Sequence, residues 1–267
     1  MSKLKTILVY CWAPFANLLW YLYTVVMATV SLALWPFDRT GAMQHWCARW
    51  WCRLIAMTIG ARIRVHGSHN VSPDGNYVYM ANHSSLIDTP AMFACLPYQF
   101  KIMAKKELFY IPFMGWHLWS SGNFQVDRGD GRKTARSLRR VIEGVRAGKS
   151  LAVFPEGTRT PDGHLQEFKA GAFKIALRAG APIVPVTIRG TFDLLPKTTL
   201  APRPGRVDVF IGEPIDTREF TEKRLPELIE LTRKAIEANL EPERRQSELQ
   251  PRPHVINQSP GGFSRRE

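Results

Sequence analysis

The sequence predicts an α/β protein with a mixed, largely parallel sheet flanked by helices, preceded by an N-terminal two-helix membrane anchor. Three observations carry this. Short apolar runs alternate with helical stretches from about residue 61 onward. No charged residue occurs between Thr6 and Phe37. The 267 residues, 45% of them hydrophobic, suffice for one sizeable core plus an appendage. The expected divisions are 1–60 for the anchor, 61–240 for the α/β unit and 241–267 for a polar tail.

A helix from Thr6 to Phe37 would run roughly 48 Å, against a bilayer hydrocarbon core of about 30 Å. The stretch is too long for a cleaved signal peptide, and no small-residue site opens onto a polar start. A buried core helix is the alternative. From Thr40 to Thr58 the residues Met43, Trp46, Cys47, Trp50, Trp51, Leu54 and Met57 recur at helical spacing, while His45, Arg49 and Arg53 occupy another face. Lys3 and Lys5 precede the apolar run; Arg39, Arg49 and Arg53 follow it. Basic flanks on both sides fit a helical pair dipping into one leaflet at least as well as a single span. Membrane association is expected, with its depth open.

The predicted strands are, in order, ARIRVHG, YVYMAN, QFKIMA, NFQVD, SLAVF, PIVPVTI and RVDVFIG. Helical patterns fall at about 85–95, 131–147 and 169–179. A longer one at 221–240 carries Leu225, Leu228, Ile229, Ala235 and Ile236 as its stripe. Catalytic loops in such folds collect at the carboxyl ends of strands. The tail from Glu241 has the composition of a disordered segment. Cys11, Cys47, Cys52 and Cys95 form no CxxC pair, which suits a reducing compartment and argues against a disulfide framework or a zinc site. A net charge of +13 asks for an anionic partner: nucleic acid, a membrane surface or a phosphorylated substrate.

Two strings carry candidate chemistry. NHSSLID directly follows the apolar run YVYMA, so His83 stands at a strand's carboxyl end. An imidazole there can act as general base if something fixes its tautomer, and Asp88 is the candidate. Residues five apart on a regular helix lie about 140° off a common face. The two can pair only if His83 precedes the helix and folds back over its first turn, with Ser84 or Ser85 as the N-cap. Alone, the string reads more readily as a capped helix start with an exposed histidine. FPEGTR follows SLAVF: Gly157 permits close approach, Arg159 offers a fork for phosphate, and Glu156 can bind a hydroxyl or hold Arg159. Alone, it reads equally as a turn with a surface ion pair. AKKELF and GNFQVDR add Lys105 and Arg128 on further loops.

In order and spacing, NHSSLID, GNFQVDR, FPEGTR and VPVTI resemble the four sequence blocks of the 1-acylglycerol-3-phosphate acyltransferases, within the glycerolipid acyltransferase superfamily. The resemblance covers roughly residues 60–215 and extends to the hydrophobic N-terminus, which resembles the family's membrane anchor. It implies that His83 is the base and Asp88 its partner, with Arg128, Glu156, Gly157 and Arg159 holding the acceptor's glycerol phosphate. Lys105 is a further candidate for that phosphate. It implies direct transfer from acyl-CoA or acyl carrier protein as co-substrate, with no cofactor and no metal. The basic flanks of the apolar segment, with no acidic block near, point to the cytoplasmic face of the bacterial inner membrane. The rivals are an acyltransferase for another lysolipid acceptor or one moving acyl groups between phospholipids, a lipid hydrolase in which His83 activates water, and a basic membrane- or nucleic-acid-binding protein.

Overall fold

The computed structural model describes residues 3–38, 40–96, 98–127 and 131–240, with side chains from Ile7 onward. Lys3, Lys5, Arg39, Arg128 and the 241–267 tail, all singled out above, lie outside the described side chains. Two helices open the chain, α1 (Lys3–Leu34) and α2 (Ala42–Thr58), followed by strands β1 (Ala61–His66) and β2 (Val78–Ala81). Then come α3 (Asp88–Cys95), β3 (Lys101–Lys105), α4 (Met114–Ser120), β4 (Phe124–Val126), α5 (Gly131–Arg146) and β5 (Leu151–Val153). The chain closes with α6 (Ala170–Ala179), β6 (Ile183–Arg189), α7 (Thr191–Leu194), β7 (Gly205–Ile211) and α8 (Leu225–Leu240).

The seven strands form one sheet in the order β1-β7-β6-β2-β5-β3-β4. β2, β3, β4, β5 and β6 run parallel to one another, so their carboxyl ends share one edge. β7 meets β6 antiparallel and pairs in parallel with β1. The central strands read as unbroken apolar runs because both faces are covered: every residue of β2 and β5 is buried. Alternation then divides β2 between two layers. Tyr79 and Ala81 pack with α2 and α3, through Cys52, Ile87 and Leu96. Val78 and Met80 pack with α5, α6 and α8, through Val141, Phe173 and Leu228.

Three local expectations are corrected. The helix expected from about residue 85 begins at Asp88, with no side-chain cap from Ser84 or Ser85. The helix expected at 221–240 begins as α8 at Leu225, after a short 3-10 turn. α4, not anticipated at all, fills the gap between β3 and β4.

α1 is not a core helix. Leu8, Phe15, Leu18, Tyr21, Leu22 and Val26 along it are between 49% and 64% exposed. Among the described residues it supplies the one helix long and apolar enough to cross a membrane. Its other side is fastened to the body: the indole of Trp51 donates to Thr24 Oγ1, that of Trp12 to the carbonyl of Thr58, and Asn17 Nδ2 to the carbonyl of Leu200. α2 is wedged between α1 and the sheet and buries Cys47, Cys52 and Ile55, while Trp46 and Met57 face outward.

Candidate active site

The carboxyl end of β2 is extended by a side chain. Asn82 is buried, donates from Nδ2 to the carbonyl of Ile188 and accepts the Ile188 N–H at Oδ1. The amide imitates one more rung of the ladder to β6, so the main chain leaves the sheet at a defined place. His83 comes next, before the helix, and its ring turns back over the first turn. Nδ1 lies 2.8 Å from Asp88 Oδ2.

Asp88 does more than meet the imidazole. It is fully buried, and Oδ2 also accepts the backbone N–H groups of Ser84 and Ser85, both at 2.7 Å. Oδ1 accepts the hydroxyl of Thr191, at the start of α7. This explains the missing serine cap: the carboxylate of the first helical residue reaches back to gather the loop's amides, and Ser85 Oγ instead accepts the Ile87 N–H. An oxygen already taking two N–H groups is an acceptor, so His83 Nδ1 carries the proton and Nε2 is left as the free base. The side chain of His83 is 19% exposed, enough to meet a substrate.

FPEGTR is folded onto this loop. The ring of Phe154 stacks on the imidazole, with centroids 4.0 Å apart and planes 14° from parallel. The His83 N–H donates to Glu156 Oε1 at 2.6 Å, and the Thr160 N–H donates to the carbonyl of His83 at 2.9 Å. Glu156 is 2% exposed; its second oxygen accepts from the backbone and side chain of Gln166. Burial pushes its carboxyl above the ordinary range, while the His83 and Gln166 amides favour the ionised form. Its carboxylate therefore sits beneath the histidine loop rather than on an open face.

The cations are arranged more loosely. Lys105 ends β3 at the same sheet edge, is 57% exposed at its side chain, and lies 3.6 Å from Glu107. Arg159 is half-buried, and Lys197 Nζ reaches its carbonyl; the Glu156 oxygens go to His83 and Gln166 and not to Arg159. Gly157 has φ +75°, and a Cβ there would stand 2.9 Å from Lys169 Nζ, so glycine permits both the turn and the approach of that ammonium. The structure thus joins His83, Asp88, Glu156 and the Gly157–Arg159 turn in one bonded unit, with Lys105 further along the edge. The sequence did not single out Asn82, Phe154, Gln166, Thr191, Lys169 or Lys197. Of these, only Asn82 and Phe154, inside the two strings, carried a local signal. No group of described residues is arranged to hold a metal ion.

The family model named Acyltransferase matches residues 62–189. A 1-acyl-sn-glycerol-3-phosphate acyltransferase of Chlamydomonas reinhardtii is 30% identical over 246 residues, covering 91% of this chain and 71% of its own. One of the same description from Borreliella burgdorferi is 32% identical, covering 68% of this chain and 73% of its own. The crystal structure of the 1-acyl-sn-glycerophosphate (LPA) acyltransferase PlsC of Thermotoga maritima superposes with a TM-score of 0.75. It is 29% identical and covers 89% of this chain and 97% of its own.

Proposed function

We propose that this chain, which belongs to the 1-acyl-sn-glycerol-3-phosphate acyltransferases, uses His83 as general base to acylate the free sn-2 hydroxyl of lysophosphatidic acid, giving phosphatidic acid. The donor is an acyl thioester, acyl-CoA or acyl carrier protein. Nε2 takes the hydroxyl proton as the oxygen attacks the thioester carbonyl carbon. The tetrahedral intermediate collapses, the carbon–sulfur bond breaks, and the thiolate leaves as a thiol with the proton held on Nε2. Asp88 fixes the tautomer and stabilises the imidazolium in between. Transfer is direct: it needs no enzyme nucleophile, no cofactor and no metal.

One observation supports this reading above the rest. His83 is clamped from both sides, by Asp88 on its ring and by Glu156 on its main chain, with the phosphate-suited Arg159 three residues after that glutamate. A capped helix start with an exposed histidine has no use for the second clamp. Glu156 serves as a positioning residue, while Arg159 and Arg128 bind the acceptor's phosphate, with Gly157 keeping the turn open and Lys105 at the rim.

The acceptor lies in a bilayer, and the outward apolar face of α1 meets that bilayer, joined by Trp46 and Trp50 of α2. The basic flanks favour the anionic cytoplasmic leaflet of a bacterial inner membrane, each charge near the surface contributing about 1 kcal/mol. The test is a panel of lysolipid acceptors against acyl-CoA and acyl carrier protein donors with purified protein. The expected result is phosphatidic acid formed only with lysophosphatidate and a thioester. Acyl transfer between phospholipids without a thioester, or free fatty acid released without acceptor, would contradict it.

A further inference from the structure

At the other end of the sheet from His83 lies a polar cavity. Lys101 opens β3, and Lys149 stands two residues before β5, so both mark the amino ends of parallel strands. The loops of His83 and Glu156 follow the carboxyl ends. Between these lysines and the end of α1 is a pocket of about 270 Å³, whose lining includes Trp35, Asp38, Gly41, Lys101, Ser121 and Lys149.

Lys101 is the unusual member. It is 5% exposed, yet its ammonium makes no hydrogen bond or ion pair with any described residue. It lies against Gly41, where an added Cβ would come within 2.7 Å of Nζ. Asp38 is the acidic residue on the lining, and its oxygens are engaged by the amides of Thr40, Gly41 and Met43 and the Thr40 hydroxyl. The facing titratable groups are Lys149, His45 of α2 and His117 of α4. Burial drives both histidines neutral, to about 3 and about 4. Two ammonium groups thus face the pocket, and the carboxylate near them is already committed. Asp38 offsets part of the charge on Lys101, but one carboxylate against two ammonium groups leaves a positive excess that is costly beside a buried residue, and an anion admitted to the pocket would relieve that cost.

The surroundings narrow the ligand. Trp35 lines the pocket and packs on Trp119 at 5.2 Å, while Trp119 and Phe37, two residues after Trp35 in the chain, are 64% and 81% exposed. Exposed indoles with one polar edge favour the headgroup depth of a bilayer.

We propose that this pocket is a second anion site that takes a phosphate group through Lys101 and Lys149, either a phospholipid headgroup or a free phosphate ester. It uses none of the residues assigned to acyl transfer, so either assignment can fail without the other.

The test compares full-length wild type, Lys149→Gln and Lys101→Met in two arms. One titrates inorganic phosphate against chloride at matched ionic strength and follows the melting midpoint in detergent. The other measures flotation with phosphatidylcholine vesicles, with and without phosphatidylglycerol. Lys149 is exposed, so its variant keeps the test valid should Lys101→Met fold poorly. The expected result is binding in at least one arm, weakened about tenfold by either substitution, with acylation of lysophosphatidate in micelles unchanged. A response to phosphate points to a free ester, and a response confined to the anionic vesicles points to a headgroup; both support the site. Equal binding by wild type and Lys149→Gln in both arms overturns it. So does a parallel loss of micellar activity, which would make the pocket part of the catalytic site.

Discussion

Thr191 holds Asp88 from the side opposite His83, and Ser84 Oγ lies 3.0 Å from the same hydroxyl. Removing that hydroxyl while keeping the shape leaves a buried carboxylate oxygen short of one donor. A hydrogen bond to a charged group contributes about 1.5–3 kcal/mol, so Thr191→Val should lower kcat about tenfold or more. The Michaelis constants should stay near wild type, because Thr191 reaches substrate only through Asp88. A rise in the acceptor constant with kcat unchanged would place Thr191 in binding instead. Arg159 is expected to behave the other way round. A guanidinium grips phosphate with two parallel N–H groups, and an ammonium offers a point charge. Arg159→Lys should therefore raise the Michaelis constant for lysophosphatidate more than that for the acyl donor. If the donor constant moves instead, the FPEGTR turn holds the donor's phosphates.

At the scale of elements, α1 is the test case. Its inner side is pinned by Trp12, Asn17 and Thr24, and its outer face consists of exposed aliphatic and aromatic side chains. An acidic residue on that face costs the folded body little but strongly disfavours burial in hydrocarbon. Leu18→Glu combined with Leu22→Glu should release the protein from vesicles and cut activity on bilayer-embedded acceptor at least tenfold. Activity on a short-chain soluble acceptor should stay within about twofold. Equal loss on both acceptors would mean that α1 serves the catalytic core rather than the bilayer.

Elements also show what the sequence could and could not convey. The alternation of apolar runs placed all seven strands, because β2, β5 and β6 are buried on both faces and their residue types say so. The start of α3 was misread because serines preceding a helix usually cap it. Here a carboxylate one turn on takes the amides first. α4 was missed because MGWHLWS is short and needs Gly115, where a Cβ would overlap the carbonyl of Phe109. The pair His83 and Asp88 was legible because both lie in one string. Thr191, distant by 103 residues, reaches the site only through the tertiary fold.

For the whole molecule, the two ends of the sheet carry opposite electrostatic problems. At the end carrying His83 a buried carboxylate is met by donors on both oxygens. At the other end a buried ammonium is not, and a lysine opening a strand gave no hint of this in the sequence. Burial, then the charge of Lys149, push Lys101 down from 10.5 to about 8. Below pH 8 the folded and unfolded chains both hold that proton, so the native state bears the full cost of the buried charge. Between about 8 and 10.5 the unfolded chain binds more protons, and this contribution to stability rises with pH. With no anion present, Lys101→Met should melt above wild type at neutral pH, and the gap should close as pH rises through that window. A gap independent of pH would mean that the substitution acts through packing alone.

The central claim is that His83 delivers the acceptor hydroxyl to a thioester, and thiol release measures it most directly. Acyl-CoA is mixed with enzyme, with and without lysophosphatidate, and the freed thiol is followed alongside phosphatidic acid. Wild type should release thiol only with acceptor present, one for each phosphatidic acid formed. His83→Ala should remain folded and vesicle-bound, with turnover lower by on the order of 10²–10⁴, the usual share of general-base catalysis. Thiol release without acceptor, or more than about a tenth of wild-type turnover in His83→Ala, would contradict it.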